Sequence, residues 1–116
     1  MQKNKAFFFD RDGIINKSVI KHNKPFSPRY PRDLVLNYEL FNFIKKLKEK
    51  NYLIIMVTNQ PDIKNGKLTN YSLKVINSII KKFFLIDDIY VCTHGKNDNC
   101  TCRKPKPGML KKAVKK

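Results

Sequence analysis

The chain has 116 residues, enough for one small domain with a single core. Its net charge of +16 favours anionic partners, but the Lys and Arg residues are spread along a chain also rich in Asn, so a dedicated nucleic-acid surface is not expected. No apolar run approaches the roughly 18 residues of a membrane span, and no secretory signal opens the chain. We therefore expect a cytoplasmic protein without membrane contact, whose thiols stay reduced.

The first half of the chain predicts a strand, a long loop and a helix. Residues 6–9, AFFF, are a short apolar run ended by Asp10, which is typical of a buried strand. Residues 16–37 are rich in Pro, Asn, Lys and Ser and predict an extended loop. After Tyr38 an apolar stripe with helical spacing predicts an amphipathic helix, through Leu40, Phe41, Ile44 and Leu47.

The second half continues the alternation of strands and helices. Residues 52–57, YLIIMV, predict a second buried strand. Residues 68–84 predict a second helix with Thr69 as its N-cap and with four inward residues, Leu73, Ile76, Ile79 and Ile80. A third strand is expected within residues 86–92, and a third helix from Gly108 onwards.

This order of elements predicts an α/β fold with a Rossmann-like, three-layer arrangement. Near-continuously apolar strands that alternate with helices are typical of a parallel sheet covered on both faces. In such sheets the chemistry lies at the carboxyl ends of the strands. That rule selects Asp10, Thr58 and Cys92, the residues expected directly after the three strands.

Two carboxylates follow the first strand in the stretch FFFDRDG. Asp10 and Asp12 are suited to binding Mg²⁺ through oxygen. One of them could attack phosphorus as a nucleophile, and the other could protonate a leaving oxygen and later activate water. The alternative is an ordinary polar turn after a strand, because Asp and Gly are common turn residues.

The stretch VTNQ ends the second strand. Thr58 offers a hydroxyl and a backbone N–H, and Asn59 and Gln60 offer amide donors, all of which can bind phosphate oxygens. Taken alone, this stretch is equally typical of a plain strand-to-loop turn.

All three cysteines and one of the two histidines lie in the pattern C-x-H-x5-C-x-C. The four ligands that a closed structural zinc site requires are present, as Cys92, His94, Cys100 and Cys102. A disulfide would leave one cysteine unpaired, and no Cys/His/Asn arrangement suggests a catalytic thiol. Arg103 and Lys104 follow the last ligand, so a pinned loop would direct two cations at one anion; the alternative is two solvated charges.

These stretches together resemble a known family. FFFDRDGIIN, VTNQ and C-x-H…C-x-C-RKPKPGM, in this order, are similar to the haloacid dehalogenase superfamily. They are most similar to its zinc-containing branch, which holds D-glycero-D-manno-heptose 1,7-bisphosphate phosphatase and the histidinol-phosphate phosphatase domain. The resemblance runs from about residue 6 to about residue 110 and implies a phosphatase without a large cap domain.

The resemblance implies a catalytic role for four residues. Asp10 matches the family's nucleophile, which also binds Mg²⁺ through its carboxylate. Asp12 matches the general acid and base, whose backbone carbonyl is a Mg²⁺ ligand. Thr58 matches the residue that hydrogen-bonds the transferring phosphoryl group, and Lys104 matches the lysine that stabilises its charge.

The resemblance also implies substrate-binding residues and zinc ligands. Asn59 and Arg103 match substrate-binding residues, and a segment near residues 17–21 matches a substrate-contacting loop without a secure alignment. The family's zinc ligands match the four residues of the Cys/His pattern. The implied cofactors are therefore Mg²⁺ and Zn²⁺.

The chain departs from the family at its C-terminal end. The family's fourth motif, an acidic turn after a further strand that completes the Mg²⁺ site, does not occur before Lys116. We therefore expect residues 1–116 to form a single domain that is C-terminally truncated, with weakened Mg²⁺ binding. The first strand would then be an exposed apolar edge, through which the chain could self-associate.

The resemblance leaves more than one function open. The favoured reading is a Mg²⁺-dependent phosphatase that cleaves a phosphate monoester of a small phosphorylated sugar, D-glycero-D-manno-heptose 1,7-bisphosphate, through an aspartyl-phosphate. Histidinol phosphate is the close alternative substrate. A different reading is an inactive, truncated remnant, stabilised by zinc, that binds anions or a partner.

Overall fold

The computed structural model describes residues 5–93 of the chain. The strands of the parallel sheet alternate with helices, as the sequence predicts. Three strands, β1 (Lys5–Asp10), β4 (Tyr52–Asn59) and β5 (Asp88–Cys92), form a parallel sheet in the order β1-β4-β5. Two helices, α1 (Leu40–Glu49) and α2 (Asn70–Phe84), connect them. The α/β prediction with a parallel sheet is confirmed.

Strand β4 lies at the centre of this sheet. Its residues 54–58 are all buried, because β4 has a strand on each side and apolar side chains packed against it. The main core contains Phe9, Ile54, Met56 and residues from both helices, which include Ile44, Leu47, Ile76, Ile80 and Phe84. A fully buried central strand explains why YLIIMV reads as a continuous apolar run rather than an alternating one.

Both predicted helices form, but one residue of α2 that was predicted to face inward is exposed. Thr69 is the N-cap of α2, and its hydroxyl accepts a hydrogen bond from the Ser72 N–H at 3.0 Å. Leu73, Ile76 and Ile80 are buried as expected, but Ile79 is 41% exposed. The buried stripe follows Ile76, Ile80 and Phe84, and Ile79 lies one step of about 100° away from it.

The predicted loop at residues 16–37 is wrong in part, because it contains regular structure. Strands β2 (Val19–Lys21) and β3 (Lys24–Phe26) form an antiparallel hairpin, and residues Pro31–Asp33 form a short 3-10 helix. The hairpin turns at His22 and Asn23, whose φ angles of 52° and 60° suit a two-residue turn. A small two-stranded hairpin tolerates Pro25, so the Pro-rich composition hides it. We call residues 19–33 the strap.

Strand β1 is the outer strand of the described part of the sheet, where it pairs with β4 only. Phe7 is 36% exposed there and makes edge contacts with the rings of Phe43 and Tyr52. An apolar outer strand agrees with the exposed edge expected from the sequence, and self-association through it stays a prediction. In residues 5–93, neither helix is long and apolar enough to cross a bilayer.

Candidate active site

The carboxyl ends of the three parallel strands bring predicted site residues to one edge. Asp10, Asn59 and Cys92 are the last residues of β1, β4 and β5. Asp10 is exposed and lies opposite Val57 in the register, so its carboxylate is accessible at this edge. Thr58, expected just after its strand, instead lies within β4 and is 1% exposed. The ladder continues two residues further than the apolar run, through Thr58 and Asn59, which explains the difference.

The turn after β1 is held tightly to the sheet. The Arg11 backbone N–H donates to the Val57 carbonyl at 3.1 Å, which extends the β1–β4 pairing by one residue. Three following N–H groups then donate to the Arg11 carbonyl, at 2.8 to 3.3 Å, from Ile14, Ile15 and Asn16. Gly13 has a φ of 90°, a conformation that glycine adopts without strain. The backbone therefore fixes where the Asp12 side chain starts.

The Asp12 carboxylate accepts hydrogen bonds at both oxygens. Its Oδ1 accepts from Arg11 Nη2 at 3.0 Å and Nε at 3.2 Å, and from Asn16 Nδ2 at 3.1 Å. Its Oδ2 accepts from Ser27 Oγ at 2.5 Å and from Gln60 Nε2 at 2.9 Å. Donors from the turn, the strap and the end of β4 therefore converge on one carboxylate.

These contacts decide the charge of Asp12. Burial by itself would raise the pKa of this carboxyl, because it disfavours the charged form. The Arg11 charge opposes burial, as do the hydrogen bonds from Ser27, Asn16 and Arg11, and together they leave the pKa of Asp12 below its ordinary value. The carboxyl is therefore ionised at neutral pH in this conformation.

The cation beside Asp12 is buried within the fold. The Arg11 side chain is 0% exposed, and its Nη1 donates to Asn77 Oδ1 of α2 at 3.0 Å. Burial lowers the pKa of Arg11, while the adjacent Asp12 raises it. An arginine nevertheless keeps its proton in proteins, so the group remains a cation. The carboxylate is thus paired with a full charge that water does not reach.

Gln60 connects Asp12 to Thr58. The single amide nitrogen Nε2 of Gln60 donates to Asp12 Oδ2 and, at 2.6 Å, to Thr58 Oγ1. Because the Thr58 hydroxyl accepts this bond, its own proton is left to donate elsewhere. Gln60 is itself buried, and its backbone N–H donates to the Cys92 carbonyl at 2.7 Å. Two residues predicted to act on phosphate are therefore linked through one amide.

An ion pair joins the strap to the loop after β4. Arg29 Nε contacts Asp62 Oδ2 at 2.9 Å, and the Arg29 guanidinium also lies over the Phe26 ring at 5.3 Å. Arg29 follows Ser27 by two residues, and Asp62 follows Gln60 by two residues. The ion pair therefore holds together the two segments that supply the donors to Asp12 Oδ2.

Several predicted site residues lie outside the described residues. His94, Cys100, Cys102, Arg103 and Lys104 follow residue 93, so the predicted zinc site and cationic pair are not described. Cys92 is fully buried at the end of β5 and is disulfide-bonded in this structure. The zinc ligation of these four residues stays a prediction.

Four residues that contact Asp12 or its partner were given no role from the sequence: Arg11, Asn16, Ser27 and Asn77. Arg11 lies between the two carboxylates of FFFDRDG, and its signal was that a charged residue next to a buried strand needs a partner. Asn77 had a signal, because it places an amide within the apolar stripe of α2. Ser27, in the Pro-rich segment, had no comparable signal.

The described oxygens fit a magnesium ion only in part. Both carboxylate oxygens of Asp12 face side-chain donors, whereas Asp10, the last residue of β1, is exposed at this edge and offers a carboxylate to the ion. No group of three acidic, His or Cys side chains suited to a metal occurs within residues 5–93. Mg²⁺ commonly binds through one or two carboxylates, several waters and substrate phosphate, and this donor set suits that mode.

Comparisons with known proteins agree with the site. A family model described as polynucleotide kinase 3 phosphatase matches residues 5–116. A D-glycero-beta-D-manno-heptose-1,7-bisphosphate 7-phosphatase from Helicobacter pylori is 34% identical, over 99% of this chain and 66% of that protein. The corresponding alpha enzyme from Campylobacter jejuni is 38% identical, over 96% of this chain and 63% of that protein. The chain thus spans about two-thirds of the length of these relatives.

A solved structure has the same fold. The D,D-heptose 1,7-bisphosphate phosphatase from B. bronchiseptica, crystallised with magnesium and phosphate, superposes with a TM-score of 0.79 at 25% sequence identity. The match covers 96% of this chain and 62% of that protein. The resemblance to haloacid dehalogenase-like phosphatases that the motifs indicated is therefore confirmed for the fold.

Proposed function

We propose that this chain, which belongs to the polynucleotide kinase 3 phosphatase family, is a magnesium-dependent phosphatase acting on D-glycero-D-manno-heptose 1,7-bisphosphate. One observation carries the proposal: an exposed carboxylate, Asp10, lies at the same sheet edge as a second carboxylate, Asp12, that is held in place through both oxygens. The names of the relatives supply the substrate.

In the proposed reaction Asp10 attacks the phosphorus atom. A bond forms between its carboxylate oxygen and phosphorus, and the bond between phosphorus and the sugar oxygen breaks. Asp12 donates a proton to that sugar oxygen, then accepts one from the water that hydrolyses the aspartyl-phosphate. Asp12 is ionised in the resting site, and a phosphate dianion bound beside Asp10 would raise its proton affinity because like charges repel.

The other predicted residues stabilise the phosphoryl group in this proposal. The Thr58 hydroxyl, which accepts from Gln60, donates its proton to a phosphoryl oxygen. Lys104 contributes a point charge to the same group, and Asn59 and Arg103 bind the sugar or its second phosphate. Mg²⁺, held by the Asp10 carboxylate and the Asp12 carbonyl, would neutralise negative charge on the phosphoryl oxygens.

The substrate is tested by phosphate release in the presence of Mg²⁺. We expect turnover of the alpha or beta heptose 1,7-bisphosphate, the two anomers that the relatives' names divide between them. Histidinol phosphate and a 3′-phosphorylated oligonucleotide complete the panel, the second because the family description and the +16 charge point to nucleic acid. We expect both of these at least about tenfold lower in kcat/KM, a 1.4 kcal/mol preference.

Chelation of Mg²⁺ should stop the reaction, since the phosphoryl charge then lacks its counter-ion. A preference for histidinol phosphate or the oligonucleotide would overturn the proposed sugar substrate, while the proposed phosphatase activity would stand. Folded wild-type protein that releases no phosphate from any of the four compounds would support the remnant that binds anions or a partner without turnover.

We also propose that Cys92, His94, Cys100 and Cys102 bind one structural zinc ion. The count and spacing of these ligands support it. Cys92 lies at the end of β5, at the same sheet edge as Asp10. A zinc site built from there would fix Arg103 and Lys104, which directly follow Cys102, near the carboxylates.

Metal analysis of the purified protein should find about one equivalent of zinc. Cys100→Ser should lose it, because three ligands hold the ion far more weakly than four. His22→Asn, which changes the other histidine at the hairpin turn, is the matched control and should retain zinc. A disulfide is the competing arrangement: after chelation and denaturation a zinc site leaves three titratable thiols and a disulfide leaves one. Folded protein without zinc would overturn the assignment.

A further inference from the structure

We propose that Arg11 is a positioning residue for this reaction, which holds the Asp12 carboxylate in place for proton transfer and is itself braced by Asn77 of α2. The inference rests on the proposed phosphatase function. It adds a buried cation and a helix residue to the parts of the chain on which that function depends.

The guanidinium of Arg11 uses all three of its nitrogens. Nε and Nη2 both donate to Asp12 Oδ1, and Nη1 donates to Asn77 Oδ1. Because the guanidinium is a rigid plane, two anchors on opposite sides fix both its position and its tilt. Its 0% exposure means that water does not replace either anchor. The position of Asp12 Oδ1 is thereby fixed relative to helix α2.

The second oxygen of Asp12 is held from the other side. Ser27 and Gln60 donate to Oδ2, so the carboxylate is fixed at two points and does not rotate freely about its terminal bond. Turned round, the Gln60 amide would place Oε1 against Asp12 Oδ2, an acceptor, so the orientation with Nε2 toward Asp12 is favoured. In the described part of the chain, Gln60 Oε1 is buried without a hydrogen-bond partner.

The alternative is that Arg11 serves only to stabilise the fold. A buried ion pair contributes little net stability compared with apolar residues of similar volume, so stability alone does not account for a buried arginine at this position. The pair instead provides a fixed direction for a carboxylate that must reach the leaving oxygen. Proton transfer depends on hydrogen-bond geometry, so a small displacement of Asp12 should slow it.

A positioning role and a purely structural role for Arg11 predict different effects on substrates with different leaving groups. Loss of the sugar alkoxide requires a proton, whereas p-nitrophenolate leaves without one. Arg11→Lys keeps the charge but cannot make both sets of contacts, and Asn77→Ser removes the brace while Arg11 stays in place. Hydrolysis of the aspartyl-phosphate uses Asp12 with either substrate, so the two substrates are compared by the pre-steady-state rate of the first step, formation of the aspartyl-phosphate. For both variants we expect this rate on the heptose bisphosphate to fall by about 10²-fold, within the range of general acid catalysis. On p-nitrophenyl phosphate we expect a loss of less than about fivefold, since the leaving group of this first step needs no proton.

Matched controls are Arg32→Lys in the strap and Asn42→Ser on α1, both exposed and outside the hydrogen bonds to Asp12. They should change neither rate. A second readout needs no turnover: in ¹H–¹⁵N spectra of wild-type protein the Arg11 Nε–H should exchange slowly with water, as expected for a buried hydrogen-bonded group. In Asn77→Ser it should exchange faster.

Each outcome has one meaning. Equal losses in the rate of aspartyl-phosphate formation from the two substrates, or no loss, would overturn the positioning role while the phosphatase function stands. Fast exchange of the Arg11 Nε–H in wild-type protein would overturn the geometry on which the inference depends. Wild-type protein without activity on either substrate would overturn the proposed function, and the inference with it.

Discussion

Asp10→Asn is expected to reduce phosphate release from the heptose bisphosphate by about 10³-fold or more, because it removes the proposed attacking nucleophile. An amide oxygen of similar size remains, so substrate binding should be largely kept and the loss should appear in kcat. The exposed position of Asp10 at the end of β1 means that its replacement should leave the free energy of unfolding nearly unchanged. Steady-state kinetics and chemical denaturation of the same preparation measure both quantities.

Asp33→Asn is the matched control, since Asp33 is a carboxylate in the 3-10 helix of the strap. It should keep wild-type kcat. Covalent labelling gives a second check: wild-type protein quenched in acid during turnover should carry phosphate on Asp10, and Asp10→Asn should carry none. A variant that retains more than about a tenth of the wild-type kcat, a barrier change below 1.4 kcal/mol, would show that another group attacks phosphorus.

Arg11→Met is expected to lower the free energy of unfolding by about 3 kcal/mol at pH 7, because it leaves a partly buried carboxylate without its counter-ion. Asn77 Oδ1 also loses its donor. The remaining donors to Asp12, from Asn16, Ser27 and Gln60, keep the loss at the lower end of the range for broken buried pairs. Urea denaturation at fixed metal concentration measures this loss, provided that the m-value is unchanged.

The loss should depend on pH in one direction. The folded-state pKa of Asp12 is lowered, so the ion pair stabilises the protein fully above the unfolded pKa of about 3.9. This contribution disappears as the pH falls through the lower folded-state pKa. The difference between wild type and Arg11→Met should therefore be largest near neutral pH and should shrink in acid.

A double substitution tests the cause. Arg11→Met combined with Asp12→Asn leaves no unpaired charge and should cost less than Arg11→Met alone. Arg32→Met, at an exposed position, should change the free energy of unfolding by less than about 0.5 kcal/mol. A double variant less stable than the single one would mean that Arg11 acts through packing and not through its charge.

The fold followed from the sequence wherever apolar periodicity was strong. Runs such as AFFF and YLIIMV predicted buried parallel strands, and the stripes of both helices predicted their inner faces apart from Ile79. The strap was missed because a two-residue hairpin turn at His22 and Asn23 depends on backbone angles that no apolar pattern reveals. Composition alone described that segment as a loop.

Only part of the site could be predicted from the sequence. Asp10 and Thr58 were identified because each directly follows an apolar run, and Asp12 because it lies two residues after Asp10 in the same turn. Arg11 and Asn77 were not, because their contact joins residues 66 positions apart and depends on how α2 lies against the sheet. The same limit applies to Ser27, which reaches Asp12 only after the strap has folded back over the turn.

The span of the Arg11–Asn77 contact also bears on the order in which the chain folds. Closing a segment of 66 residues costs chain entropy before the contact stabilises anything. A partly folded state containing β1, α1 and β4 would have Asp10 in place at the edge of a short parallel ladder. Its Asp12 carboxylate would have no braced cation beside it, so such a state would hold the proposed nucleophile without the proposed proton donor in position. In the proposed mechanism, catalytic competence therefore arises only when α2 docks on the sheet.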